Sequence, residues 1–284
     1  MDIRDKFKTY VKDHMPSFLL NKLKDLRKQY IENSLYFQVH LTNHCNLKCK
    51  CCSHFSPISE EKNLDIKILE NDFKRLASLG RNKIRQIDLL GGEPLLHPEI
   101  NNCLIIARKY FKRAKILLIT NGILLPAEPD NFWKICKKNN IVLSISQYPI
   151  SIGLNEIKEK GKLFGTKLIF NSNNIFGHFR IDVNGKQNEI ENINMCYESK
   201  NCNCLDNGKI FLCYIPACID TFNKKFNLNI PVSKDDYIDI YESNSIQEIM
   251  DFLKKPVPFC KYCDVKNRNN IDWGISKRTI EEWV

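Results

Sequence analysis

The chain has 284 residues, 43% of them hydrophobic, and 43 Lys and Arg against 33 Asp and Glu give a formal net charge of +10. That length can bury one large core, or one core with a smaller appendage, and no apolar run reaches the roughly 18 residues a membrane span requires. Thirteen cysteines in so long and regular a chain exclude the small secreted disulfide scaffold; with no signal-peptide core, they predict metal ligands in a reducing cytoplasm.

Met1 to Asn33 is predicted as two basic amphipathic helices divided by Pro16, which breaks a continuous one. Phe7 and Val11 share one face, as do Leu19, Leu23, Leu26 and Tyr30. Packing over the core is the plain expectation, and binding to a membrane surface or partner the alternative. Tyr36 to Leu41 alternates as a first strand. Leu64 to Leu79 is helical, with Ile68, Leu69, Phe73 and Leu76 on one stripe and Gly80 as its stop. Strand two is Ile84 to Leu90, followed by a helix over Pro98 to Lys112 and strand three over Ala114 to Thr120. A helix at Ala127 to Asn139 precedes strand four, Ile141 to Ser146. A helix near Leu154 to Leu163 leads to strand five, Lys167 to Asn171, and Phe179 to Val183 is a candidate sixth strand. Strands alternating with helices of this length imply parallel βαβ units. The expected fold is α/β, a partial (β/α)6 barrel with a small C-terminal α+β part. Cys103 and Cys136 fall among apolar helix neighbours and are assigned to packing. After Asn184 cysteines return, Leu205-Asp-Asn-Gly208 signals a hairpin, and Ser245 caps a short helix ending before Pro256.

Charge is unevenly placed. Residues 196–284 hold 12 Lys and Arg against 13 Asp and Glu, so the preceding part carries a net +11. That suits an anionic substrate, nucleic acid or an acidic partner; the plainer reading is a solvated lysine-rich surface. No zinc-finger, RGG or aromatic–basic signature supports nucleic acid.

The densest stretch is His44 to His54, HCNLKCKCCSH. Cys45, Cys49 and Cys52 form a C-x3-C-x2-C triplet on one loop. Three thiolates on a four-iron cluster leave one iron open to a small molecule, whereas structural zinc takes four closed ligands; His44 or His54 could complete a zinc site. Read with its flanks, the triplet is followed by Gly91-Gly92-Glu93-Pro94 after strand two and Thr120-Asn121-Gly122 after strand three. This ordered set resembles the radical S-adenosylmethionine (SAM) superfamily over roughly Tyr36 to Val183.

The resemblance implies that Cys45, Cys49 and Cys52 bind a [4Fe–4S] cluster whose fourth iron chelates SAM. One electron then cleaves SAM to a 5′-deoxyadenosyl radical. It further implies that Gly91 and Gly92 let the backbone approach the ligand, that Glu93 meets the methionine ammonium, and that Thr120 and Asn121 face the same mouth. Ser144 and Ser146, two apart on strand four and so on one face, are carried over for the ribose. Many relatives place an aromatic residue before the third cysteine; here that position is Cys51, which is not taken as a ligand. The later cysteines resemble a Twitch or SPASM appendage: Cys196, Cys213, Cys260 and Cys263 supply four thiolates for an auxiliary [4Fe–4S] cluster. Cys204 and, more weakly, Cys202 rival Cys196, and a zinc ribbon is the alternative.

The expected organisation is a basic helical segment at 1–34, a radical SAM core at 35–190 and an auxiliary cluster domain at 191–284. The expected activity is that of a cytoplasmic radical SAM oxidoreductase acting on a small polar, sugar-like or anionic substrate, fed electrons by a flavodoxin or ferredoxin. Peptide or RNA modification, and a non-catalytic zinc or iron–sulfur interaction module, are the alternatives.

Overall fold

Apolar runs of six or seven residues, bounded by Gly, Asn or Pro, become the central strands of the computed structural model, which describes residues 15–284. Two units are distinguished, Met1–Leu35 and Tyr36–Val284, and each is described by itself. In the first, a helix spans Ser17–Glu32 directly after Pro16, and Asn33 closes it by donating to the Gln29 carbonyl at 2.9 Å. The expected helix carrying Phe7 and Val11 lies outside the described residues. Among those residues no helix is long and apolar enough to cross a membrane.

The second unit is built on β1 (Leu35–His40), β2 (Ile84–Leu90), β3 (Lys115–Thr120), β4 (Ile141–Gln147) and β5 (Lys167–Ser172), linked by helices Ile66–Gly80, Ile100–Tyr110, Asp130–Lys138 and Leu154–Phe164. β2, β3, β4 and β5 pair in parallel, in register from Gln86↔Lys115 to Gln147↔Ser172. This is the partial barrel the alternation predicts, with one correction. The sixth parallel position is not Phe179–Val183. A short β6 (Ile175–Gly177) pairs elsewhere, and β7 (Cys204–Asp206) takes the place beside β1. Phe179 and Ile181 are buried at 2% and 3% exposure, but Ile181 makes only an isolated bridge, to Cys263. Their alternation reports burial in a second core, not membership of the sheet. β8 (Lys209–Phe211) and β9 (Tyr237–Asp239) extend the sheet antiparallel, and β10 (Asn270–Asp272) pairs antiparallel with β6.

Local chemistry accounts for the turns. Asn207 and Gly208 both have positive φ, 46° and 77°, which a tight two-residue hairpin between β7 and β8 requires. The Asp65 carboxylate accepts from Lys67 N at 2.7 Å to start helix Ile66–Gly80, and Ser245 Oγ accepts from Glu248 N at 3.3 Å to start helix Ile246–Phe252. On the first of these helices Leu69, Phe73 and Leu76 are buried, while Ile68 is 37% exposed. Ile68 is one residue, about 100°, from Leu69 and so turns off the expected stripe. Phe73 meets Phe37 of β1 and Phe111 edge to face, with centroids 6.0 and 5.3 Å away. Each such buried ring stabilises the sheet–helix packing by about 1.5–3 kcal/mol. A second core joins Phe55, Phe222 and Trp283, all fully buried.

The exits of β1 and β2 touch backbone to backbone. Gly92 N–H donates to the Thr42 carbonyl at 2.8 Å and Glu93 N–H to that of His44 at 2.9 Å. A Cβ on Gly91 would lie 2.3 Å from Thr42 O, and one on Gly92 2.0 Å from His44 O. These glycines therefore admit the cysteine-bearing loop itself, a packing role that their assignment to ligand approach does not include. We expect Gly92→Ala to destabilise the protein by roughly 1–3 kcal/mol or more, as overpacking against fixed backbone does. Gly177→Ala, where a Cβ meets nothing within 4 Å, should change stability by less than about 0.5 kcal/mol. Chemical denaturation of the two variants checks both.

Candidate metal and cofactor site

The loop after β1 leaves and re-enters the fold through one neck, where Asn43 N–H donates to Lys62 O at 3.0 Å and Leu64 N–H to Leu41 O at 2.9 Å. Between these points it carries Cys45, Cys49, Cys51 and Cys52, with Cys51 and Phe55 in the left-handed region at φ 53° and 55°. Cys45, Cys49 and Cys52 line a cavity of about 650 Å³ together with Thr120, Asn121 and Ser146. The expected first site is thus assembled from the exits of β1, β3 and β4, as ligands of parallel α/β sheets are. Cys51 also lines the cavity. A more open depression of about 520 Å³ over Gln147–Glu156 brings in no cysteine, so the thiols mark the site.

Two residues of the expected set do not line this cavity. Ser144 is buried beneath it and accepts from Asn171 Nδ2 at 2.9 Å. Glu93 is fully buried, and its carboxylate accepts from Thr120 Oγ1 at 2.7 Å, Asn121 N at 2.8 Å and Leu95 N at 3.1 Å. It holds the ends of β2 and β3 together behind the cavity wall that Gly91, Gly92, Thr120 and Asn121 form.

Burial pushes the Cys45 thiol up to about 12, against a donor from Leu47 N–H, and the Cys49 thiol up to about 11, against one from the Trp273 indole. Burial raises Cys52 as well. These thiols are therefore protonated near neutrality without metal, and metal binding must release their protons. Among the described residues no three His, Cys, Asp or Glu side chains already converge as they would on a single ion. The thiols instead rim a space, a donor set that fits a soft, multi-atom iron–sulfur centre.

The second group of thiols also assembles. Cys196, Cys213, Cys260 and Cys263 line a small cavity of about 20 Å³. Asn192 Nδ2 holds the turn between the last two by donating to the carbonyls of Cys260 at 2.8 Å and Cys263 at 2.6 Å. Burial pushes Cys213 up, and neighbouring Cys263, Cys196 and Cys260 add to it. Cys204 sits on β7 and Cys202 before it, and neither lines this cavity. Of the three candidates only Cys196 shares this cavity with Cys213, Cys260 and Cys263.

Spacing did not reveal the C-terminal segment. Trp273 Nε1–H donates to Cys49 Sγ at 3.1 Å, and Trp283 Nε1–H donates to Cys52 O at 2.9 Å. The Glu282 carboxylate accepts from Cys51 N at 3.5 Å and Ser276 Oγ at 2.7 Å. Arg268 pairs with Glu198, and both line the large cavity, Arg268 lining the smaller one too. The one available signal was two tryptophans in a polar C-terminal stretch.

The sequence profile of the Radical SAM superfamily matches residues 39–152. A GTP 3′,8-cyclase of Chlorobaculum tepidum is 34% identical over 95 residues, 34% of this chain and 28% of that protein. Another, of Helicobacter pylori, is 27% identical over 147 residues, 48% of this chain and 46% of that protein. The matched stretch is thus less than half of either relative. The solved structure of BtrN in complex with AdoMet and 2-DOIA superposes with a TM-score of 0.53 at 18% identity, covering 81% of this chain and 93% of that one; the likeness is one of fold.

The buried carboxyl behind the site gives a stability test. Burial raises Glu93 from 4.5 to about 7, against three hydrogen bonds that lower it. Below pH 4.5 the group is protonated folded and unfolded. Across the window up to about 7 the folded state keeps a proton that the unfolded state has lost, so stability falls as pH rises. The full effect is of order 3 kcal/mol. Glu93→Gln should remove this slope, seen by comparing denaturation midpoints of variant and parent from pH 4 to 8.

Proposed function

Because residues 39–152 are a radical SAM domain, we propose that the chain reductively cleaves SAM and abstracts hydrogen from a small polar or anionic substrate. The carrying observation is that Cys45, Cys49 and Cys52 share one cavity with the polar ends of β3 and β4. In this reading the three thiolates hold a [4Fe–4S] cluster. When bound, the cluster and SAM together supply the 5′-deoxyadenosyl radical, chemistry the protein positions and shields. Gly91, Gly92, Thr120 and Asn121 orient the methionine end of SAM, Glu93 keeps their wall fixed, and Ser146 faces the ribose.

Residues 35–190 then act as the catalytic core and 191–284 as a Twitch-like part in which Cys196, Cys213, Cys260 and Cys263 hold a second cluster. Arg268 and Val265 line both cavities. That adjacency supports a two-electron oxidation of substrate over a structural role for the second site. The Arg268 guanidinium, charged at any working pH, supports an anionic substrate group.

Anaerobically reconstituted protein should hold about eight iron atoms per chain, falling to about four in a folded Cys260→Ala/Cys263→Ala variant, as two four-iron clusters require. Replacing Cys45, Cys49 or Cys52 with Ala should abolish release of 5′-deoxyadenosine, whereas Cys51→Ala retains it. Iron analysis and product chromatography decide. Loss of the cluster in Cys51→Ala but not in Cys52→Ala would overturn the ligand set.

A further inference from the structure

Trp273 belongs to no motif, yet the fold carries it to the first cysteine site. The pairing of β10 with β6 delivers the chain to Trp273, whose N–H donates to Asn174 O at 2.8 Å. The next residues run against the cysteine loop: Lys50 N–H donates to Gly274 O at 2.7 Å and Ser276 N–H to Lys48 O at 2.8 Å, with Cys49 and Ile275 bridged antiparallel. The indole is thereby set with Nε1–H 3.1 Å from Cys49 Sγ, and its ring centroid lies 6.0 Å from that of Tyr148. Cys45 receives longer donors, Leu47 N at 3.3 Å and Asn121 Nδ2 at 3.7 Å. The indole has its one donor and no acceptor, so it stabilises a sulfur in proportion to the negative charge that sulfur carries.

We propose that Trp273 is a positioning residue for Cys49, its N–H fixing the ligand sulfur and raising the reduction potential of the cluster held there. The inference rests on the proposed function, since it presumes a cluster on Cys45, Cys49 and Cys52. A donor at a ligand sulfur favours the more negative, reduced state, and hydrogen bonds to sulfur are among the levers that set iron–sulfur potentials. The same bond fixes the orientation of the Cys49 side chain on that loop. A purely packing role for the ring predicts no effect of the N–H on potential.

The test is a redox titration of the parent, Trp273→Phe and Trp273→His, followed by electron paramagnetic resonance without SAM or substrate. The signal lost in Cys45→Ala identifies the cluster concerned. Trp273→Phe keeps a ring and removes the donor, and should lower the reduced-to-oxidised ratio at fixed potential about tenfold, a downward shift of about 59 mV for one electron. Trp273→His restores a ring N–H and should recover part of it. An unchanged potential in Trp273→Phe overturns the proposal while leaving the three-cysteine reading intact. A parent protein without that signal overturns both. Should either variant fail to fold, the parent labelled with nitrogen-15 indole decides. Trp283 donates to a carbonyl and Trp133 Nε1 has no partner among the described residues. Hyperfine coupling from labelled indole to the reduced cluster therefore reports Trp273, and its absence overturns the proposal.

Discussion

The site depends on one close backbone contact, between the Thr42–Cys45 segment leaving β1 and Gly91-Gly92-Glu93 leaving β2. Two N–H···O bonds of 2.8 and 2.9 Å join them, and no side chain larger than hydrogen fits between. The contact fixes where the cysteine loop starts. Glu93 then passes the constraint on to β3, because its buried carboxylate accepts from both Thr120 and Asn121. Three strand exits are thus tied in sequence by hydrogen bonds, and the cavity opens against the wall they make.

The loop also needs a second support, since 20 residues lie between its bridged neck positions, Thr42 and Asn63, and loops of that length are seldom held by their ends alone. The C-terminal segment supplies it through Gly274, Ser276, Glu282 and the two indoles, so that groups more than 220 residues away in sequence hold Cys49 and Cys52. Phe55 packs on Phe222 and Trp283, which fixes the loop's far end in the second core. Ordering the first cysteine site therefore requires the end of the chain to be in place.

These two supports explain what could be read from the sequence. The strands were legible because each is a short, largely apolar run between breakers, and the first site because its cysteines are clustered along the chain. Gly91, Gly92 and Glu93 were legible as a motif but not in their physical roles, which are contacts to backbone and to β3 and need coordinates to see. The sixth sheet position was misplaced because Phe179 and Ile181 alternate for a core other than the sheet. Trp273 showed only as an unusual residue in a polar stretch, and Arg268 not at all. Each acts through contacts with residues remote in sequence, which leave no periodicity or spacing to detect.

The two thiol groups differ in a way that bears on their work. Cys45, Cys49, Cys51 and Cys52 line a cavity of about 650 Å³, whereas Cys196, Cys213, Cys260 and Cys263 line one of about 20 Å³. A centre with an open position needs room for a second molecule, and a centre with four protein ligands does not, a distinction metal sites in general obey. Between them stands Arg268, salt-bridged to Glu198 and stacked over Phe179 at 4.7 Å. Against burial, which lowers it, Glu198 raises the pKa of Arg268, and Cys196 and Cys263 nearby add to that rise. A permanent cation there offsets thiolate charge in a poorly solvated place, and the same cation borders the space where substrate would lie. Arg268 and Val265 thus form a common border of the two thiol-lined cavities, so that a change at Arg268 reaches both at once.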